Sequence, residues 1–88
     1  KVKKIAVCGG SGSFLLEAAK AQGADVFVTG DYKYHQFFDA ENEIIIADIG
    51  HYESEQFTIE LFEEIVKPIS QEVKVIHTSI NTNPVNYL

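Results

Sequence analysis

Two side chains that can bind a metal ion, His51 and Glu55, stand four residues apart at the start of a predicted helix. This spacing places both on one helix face, about one turn apart. They follow a predicted strand over 43–48, at its carboxyl end. Imidazole nitrogen and carboxylate oxygen are ligands that zinc, iron and manganese all accept. The pair is therefore the first candidate for a metal site.

The same pair has a simpler interpretation. A histidine and a glutamate at this spacing are common by chance and usually form a hydrogen-bonded pair on the protein surface. A metal site also needs three or four protein ligands, so two residues cannot complete one. Further candidate groups near strand ends or elsewhere in the chain are His35, His77, Asp31 and Asp48. Spacing alone leaves both interpretations open.

A glycine-rich segment, 9–13, follows the first predicted strand and precedes a predicted helix. Its backbone N–H groups and hydroxyls are candidates for binding an anion. The residues concerned are Gly10, Ser11, Gly12 and Ser13. Position 15 is leucine where a dinucleotide-binding motif has its third glycine, and no lysine follows as in a P-loop. A tight strand-to-helix turn is the alternative. The neighbouring Cys8 is expected to be a small buried residue and not a nucleophile.

Composition narrows the class of protein. The chain has 88 residues, which suits one domain, and a formal net charge of −6. An acidic surface repels phosphate backbones, so general nucleic-acid binding is not expected. One cysteine allows no internal disulfide, which predicts a reducing, cytoplasmic setting. No apolar run approaches the ~20 residues that span a membrane.

Strands and helices are predicted to alternate, which indicates an α/β fold with a small, mostly parallel sheet and flanking helices. Strands are predicted over 2–8, 25–29, 43–48 and 73–77, and helices over 14–22, 32–39 and 51–67. Phe37 and Phe38 are expected to face inward. The apolar run 44–47 predicts a strand covered on both faces. Pro68 is expected to end the last helix, whose apolar stripe is Leu61, Phe62, Ile65, Val66 and Ile69.

Four motifs in order carry a resemblance to a known family. They are Cys8–Ser13, Thr29–Asp31 with Lys33, Tyr34 and His35, Asp48–Glu55, and Asn81–Pro84. Together they closely resemble the C-terminal part of the Nif-three-like family, whose members are often called GTP cyclohydrolase I type 2 homologues. The resemblance covers nearly the whole chain. It implies that residues 1–88 are the C-terminal part of a larger two-half α/β metal protein, with the N-terminal half and any inserted domain absent. A start at Lys1, within a strand pattern and without methionine, also predicts a piece of a longer protein, although tag removal or processing is an alternative.

The resemblance also implies a site. His51 and Glu55 correspond to ligands of a dinuclear centre holding two divalent ions per full-length subunit, with Glu55 bridging the ions. The other half supplies a His-His pair and an aspartate. No His-His pair occurs in this sequence, so that half is absent, and the site is expected to be empty or loosely filled in this chain alone. Asp31, Lys33 and His35 are candidates for supporting the ligands or contacting substrate, and a structural hydrogen-bonded cluster is an equal alternative.

The family further implies a homo-oligomer, usually a hexameric ring, and a metal-dependent hydrolase acting on a small molecule, with GTP ring opening as the named activity. No catalytic residue is identified by the resemblance. A non-catalytic metal-binding scaffold or protein-interaction module is the main alternative, and a nucleotide-sensing module that uses the loop 9–13 is a third.

Overall fold

The strands and helices are short and follow one another in alternation. A computed structural model describes all 88 residues. The strands are β1 (Ile5–Ser11), β2 (Val26–Gly30) and β3 (Ile45–Asp48), and the α-helices are α1 (Leu16–Ala21), α2 (His51–Glu55) and α3 (Thr58–Ile69). Short 3-10 helices cover Ser13–Leu15 and Tyr34–Ala40. The chain divides into two compact units, Lys1–Glu55 and Gln56–Leu88.

The first unit contains a parallel three-stranded sheet in the order β1-β2-β3. Ile5 pairs with Val26, and Val26 pairs with Ile45 across the sheet. The predicted α/β class with a small parallel sheet is confirmed. The predicted fourth strand over 73–77 is wrong, because this segment has no neighbouring strand to accept and donate its backbone hydrogen bonds.

One face of the sheet carries the core. Phe27, in the central strand, is 2% exposed and packs with Leu16 and Ala19 of α1 and with Ala24 and Ile44. Apolar residues of α1 recur at helical spacing, which brings Leu16 and Ala19 to the same side. The crossover β1–α1–β2 thus covers this face and fixes the parallel arrangement of the two strands.

The opposite face of the sheet is largely uncovered in the first unit. Ile5, Val7 and Ile45 are exposed there, and Val7 is 74% exposed. The prediction that strand 43–48 is covered on both faces is therefore wrong for this chain: Ile44 is buried, but Ile45 is 61% exposed. The helices of this unit supply apolar cover to one side only, whereas parallel sheets are normally covered on both.

β1 extends into the glycine-rich segment instead of ending at Cys8. Its pairing with β2 shifts register between Val7 and Ser11, and Ser11 then pairs with Gly30. The helix predicted over 14–22 begins as a 3-10 turn and is α-helical only over Leu16–Ala21. Gly23 follows with a φ of +73° and ends this helix, as glycine at that position predicts.

The segment between β2 and β3 is a 3-10 helix, Tyr34–Ala40, at nearly the predicted place. Phe37 packs on Tyr32, with ring centroids 5.1 Å apart, but remains partly exposed. Phe38 is 66% exposed and lies against Tyr34 at 5.4 Å. The prediction that Phe38 faces inward is wrong, because a 3-10 helix has three residues per turn and spreads adjacent side chains over different sides.

The helix predicted as continuous over 51–67 is two helices, α2 and α3, separated at residues 56 and 57. Pro68 lies inside the last turn of α3 and does not end it. Most of the predicted apolar stripe is exposed in the second unit, and only Val66 is half-buried.

Glu63 forms two ion pairs in the second unit. Its carboxylate lies 2.5 Å from Lys67 Nζ and 2.6 Å from His77 Nε2. The hydrogen bond from Lys67 is the largest cause of the lowered pKa of Glu63. No helix has the length and apolar character needed to cross a membrane.

Candidate metal half-site

The carboxyl ends of all three strands bring polar side chains together at one edge of the sheet. Ser11 ends β1, Asp31 directly follows β2, and His51 begins α2 three residues after the last residue of β3. Glu55 lies one turn further along α2. The carboxyl edge is where open parallel sheets bind ligands, because the loops that follow the strands converge there.

His51 is held between two carboxylates. Its Nδ1 lies 2.7 Å from Asp31 Oδ2, and its Nε2 lies 3.1 Å from Glu55 Oε2. Asp31 Oδ2 also accepts a hydrogen bond from the Ser11 hydroxyl. Asp31 adopts a left-handed backbone conformation, with φ of 57°, which aspartate tolerates better than most residues. This backbone conformation places the Asp31 carboxylate against the His51 imidazole.

Gly10 allows the loop to approach this pair. A Cβ atom at Gly10 would lie 2.6 Å from Glu55 Oε1 and 3.2 Å from His51 Nε2, and the φ of Gly10 is +73°. Any larger residue would occupy space beside the two candidate ligand atoms. Glycine suits this position for two reasons: its backbone lies close to the His51 and Glu55 side chains, and it adopts a positive φ.

Two residues that sequence reasoning did not single out hold the loop in place. The Ser54 hydroxyl accepts a hydrogen bond from Gly10 N–H at 2.7 Å and donates to His51 carbonyl oxygen at 2.8 Å. Thr29, fully buried in β2, donates its hydroxyl to Gly10 carbonyl oxygen at 3.1 Å. The one sequence signal for both was their place in the motifs, Thr29 in Thr29–Asp31 and Ser54 in Asp48–Glu55.

Asp48 has a structural role. One of its carboxylate oxygens accepts Gly50 N–H at 2.9 Å, and the other accepts Tyr32 N–H at 3.0 Å. The carboxylate thereby joins the turn after β3 to the segment after β2. Both oxygens accept backbone hydrogen bonds, so the role that the structure gives Asp48 is to fix these two turns.

The Asp31–His51 contact shifts both ionisation equilibria. The hydrogen bond that the Asp31 carboxylate accepts from the His51 ring raises the pKa of His51 and lowers the pKa of Asp31. The stabilisation linked to His51 is full below its unfolded pKa near 6.5 and is lost as pH rises through the higher folded value. The stabilisation linked to Asp31 is present above its unfolded pKa near 3.8 and is lost as pH falls through the lower folded value. The pair therefore stabilises the fold most between about pH 4 and 6.5.

The substitution Asp31→Asn is expected to lower the pKa of His51, because it removes the negative charge that favours the imidazolium. Asparagine also tolerates the left-handed backbone of this position. NMR titration of the His51 ring protons in the metal-free chain measures the effect. Asp39→Asn, a charge change at an exposed aspartate of the 3-10 helix, is the control and should leave the His51 pKa unchanged. An unchanged value in Asp31→Asn would contradict this account of the contact.

The other predicted site residues fall in different places. Lys33 lies beside Asp31 and lines an open pocket next to the site. The His35 side chain is exposed on the 3-10 helix and makes no hydrogen bond. His77 lies in the second unit and pairs with Glu63, in line with the structural role expected of it. Cys8 is half-buried against the core.

The donor set suits a divalent metal but is incomplete. With Nδ1 bonded to Asp31, the His51 nitrogen that remains for a metal is Nε2, which lies beside the Glu55 carboxylate. No group of three or more His, Cys, Asp or Glu side chains in the chain is arranged to hold a metal ion. His51 and Glu55 therefore fit as two ligands of a centre that needs others.

These features define a small parallel α/β protein with a histidine–carboxylate site at the carboxyl edge of its sheet. Sequence comparison gives the family. Residues 1–84 match the sequence profile of Duf34/NIF3 (NGG1p interacting factor 3). The chain belongs to this family, which confirms the resemblance found in its motifs.

Several relatives share the name GTP cyclohydrolase 1 type 2 homolog. The Campylobacter jejuni protein is 36% identical over 87 residues, which are 98% of this chain and 34% of that protein. The protein from Staphylococcus aureus Mu50 is 39% identical over 95 residues, covering 100% of this chain and 25% of the relative. This chain thus spans about a quarter to a third of the length of these relatives.

Solved structures show the same fold. Staphylococcus aureus protein SA1388 matches with a TM-score of 0.82 and 38% identity, over 100% of this chain and 26% of that chain. A Bacillus cereus protein related to NIF3 matches with a TM-score of 0.75 and 34% identity, over 99% of this chain and 25% of that chain. The arrangement of strands and helices therefore recurs within much longer proteins of the family.

Proposed function

We propose that this chain supplies two ligands, His51 and Glu55, of a dinuclear divalent-metal centre in a metal-dependent hydrolase. The remaining ligands would come from outside these 88 residues. The observation that carries the proposal is the convergence of His51 Nε2 and the Glu55 carboxylate beside Gly10, with the other ring nitrogen held by Asp31. A surface ion pair formed by chance would need neither the clearance at Gly10 nor the bond to Asp31.

Each residue has a defined part in this proposal. With a metal bound, Asp31 would hold the proton on Nδ1 of His51 and leave Nε2 for the ion. The Glu55 carboxylate would supply the oxygen ligands. Ser54 fixes the position of Gly10 relative to α2. When bound, divalent ions lower the pKa of a coordinated water and polarise a substrate oxygen.

The names of the relatives suggest the reaction class and the substrate to test first. GTP ring opening is a hydrolysis, and a pair of zinc, iron or manganese ions suits such chemistry. A ring-shaped homo-oligomer, most simply a hexamer, is part of the same proposal. Ring assembly would place several such sites around one cavity.

The ligand assignment is tested by titrating the chain with Zn²⁺ and Mn²⁺ and following the His51 resonances. Glu55→Gln is expected to weaken binding by about tenfold, because it removes one anionic ligand, a difference of about 1.4 kcal/mol. Glu60→Gln removes the same charge from an exposed position of α3 and is the matched control. Equal affinity in the two variants would contradict the assignment of Glu55.

The hydrolase assignment is tested in a protein that supplies the remaining ligands. The segment of SA1388 that matches this chain can be replaced by the chain itself, because the two superpose closely. The metal-replete hybrid is then assayed for turnover of GTP and other nucleotides. Activity no greater than that of the His51→Ala hybrid would eliminate the hydrolase proposal.

A non-catalytic scaffold is the second candidate, and the exposed apolar side chains of α3 favour it. Leu61, Phe62 and Ile65 are each more than half exposed in the second unit. The family description also names an interacting factor. This function predicts metal binding without turnover, together with a protein partner that is still recovered with the His51→Ala variant.

A further inference from the structure

A polar pocket of about 530 Å³ lies next to the half-site and is not used by the proposed metal ligands. Its lining residues are Ser11, Ser13, Asp31, Tyr32, Lys33 and Gln36. Asp31 belongs to both regions, since its carboxylate contacts His51 and also lines the pocket. A molecule in the pocket would therefore lie one side chain away from His51.

Three side chains of this pocket keep a free hydrogen-bond donor: Lys33, Gln36 and Ser13. The backbone N–H of Lys33 donates to Gln36 Oε1 at 2.8 Å. This bond engages the oxygen of the Gln36 side-chain amide and leaves Gln36 Nε2 as a donor. The Lys33 ammonium makes no ion pair, and the Ser13 hydroxyl makes no hydrogen bond. In the Asp31 carboxylate, Oδ2 is engaged by Ser11 and His51, and contact with His51 offsets part of its negative charge.

A pocket with a free ammonium, a free amide N–H₂ and a free hydroxyl matches the chemistry of an oxyanion, because charge-assisted hydrogen bonds to phosphate are strong. Lys33 is the only cationic side chain among the lining residues. The net charge of the chain is −6, so an anion would be repelled elsewhere on its surface and needs such a local cation.

We propose that this pocket binds a phosphate group of a small-molecule ligand, with Lys33, Gln36 and Ser13 as its donors. The phosphate would be a handle that does not react, held beside the residues that act on another part of the molecule. This role in substrate positioning rests on the proposed function. Phosphate binding itself does not, because none of the three donors is a metal ligand.

The test is an NMR titration of the chain with inorganic phosphate and, separately, with GTP, in EDTA and at constant ionic strength. Both probes are expected to shift the amide resonances of Ser13, Lys33 and Gln36. Lys33→Ala and Gln36→Glu are each expected to weaken binding at least tenfold. In Gln36→Glu a carboxylate oxygen still accepts Lys33 N–H, so the local fold is kept while a donor becomes an anion. Tighter binding of GTP at the same residues would identify a nucleotide ligand, and equal binding would identify phosphate as the recognised group.

Lys74→Ala removes the same charge from an exposed lysine of the second unit and is the matched control. Absence of shifts at the three residues, or an equal loss of binding in Lys33→Ala and Lys74→Ala, would overturn the proposal. Because EDTA removes divalent ions, these outcomes are independent of the Zn²⁺ and Mn²⁺ titrations. Phosphate binding with no metal binding would remove the proposed function and leave the pocket assignment intact.

Discussion

Gly12→Ala is expected to lower the free energy of unfolding of the first unit by about 2–4 kcal/mol, combining overpacking with a disturbed buried hydrogen bond. The added Cβ would lie 2.2 Å from Thr29 Oγ1 and 3.0 Å from the side chain of Cys8. Thr29 is fully buried and cannot move into solvent. Gly12 has a φ of −116°, so alanine suits the backbone and the loss is steric. Denaturant unfolding followed by circular dichroism measures the difference.

Gly9→Ala is the control for this prediction. Its Cβ would come no closer than 3.4 Å to another atom, an ordinary contact with Glu55 Cγ, and stability should change by less than about 0.5 kcal/mol. Thr29→Ala adds a second check, because it removes the oxygen that Gly12→Ala meets. The two substitutions should be less destabilising together than the sum of their separate effects. Strict additivity would show that the cost of Gly12→Ala has another source.

Gly10→Ala is expected to weaken binding of Zn²⁺ or Mn²⁺ by about 100-fold, because it displaces both candidate ligands at once. Each factor of ten in affinity corresponds to about 1.4 kcal/mol of binding free energy. The new Cβ would come within 2.6 Å of Glu55 Oε1 and 3.2 Å of His51 Nε2. Glu55 is an exposed, flexible side chain, so it can swing away at low cost to the fold. Metal titration and unfolding experiments on the same variant separate the two effects.

Gly23→Ala is the matched control, since Gly23 has the same φ of +73° but its Cβ would meet only Lys4 Nζ at 4.0 Å. Both substitutions place alanine in a left-handed conformation, and each should cost about 1–2 kcal/mol of stability. Only Gly10→Ala should lose metal affinity. A similar loss of metal binding in Gly23→Ala would show that backbone strain, and not the displaced ligands, is responsible.

The sequence predicted the elements that depend on local pattern. Apolar runs located all three strands of the sheet, and the first helix was predicted over 14–22, close to its observed end at Ala21. It did not predict the break at 56 and 57, because no glycine or proline stands there. The predicted strand 73–77 has a suitable apolar pattern, but a strand also needs a neighbour with free backbone groups. That neighbour is a long-range property that no local pattern specifies.

In the candidate site, too, local sequence pattern predicted some residues, while contacts that depend on the backbone were not predicted. Helical spacing placed His51 and Glu55 together, and motif order singled out Asp31. The 2.7 Å contact from Asp31 to His51 depends on the left-handed backbone at Asp31, which a sequence does not state. The hydroxyls of Ser54 and Thr29 act on the backbone of Gly10, and serine and threonine are too common in other roles to mark such contacts.

The uncovered face of the sheet has a practical consequence for protein engineering. Ile5, Val7 and Ile45 lie on that face, whereas the core residues and the site residues lie on the opposite face and at the carboxyl edge. Threonine retains the branched shape that favours strands, and its hydroxyl stands in place of a methyl group of valine or the ethyl group of isoleucine. Threonine at these three positions is therefore expected to reduce association of chains through this face and to leave the ligand chemistry as it is.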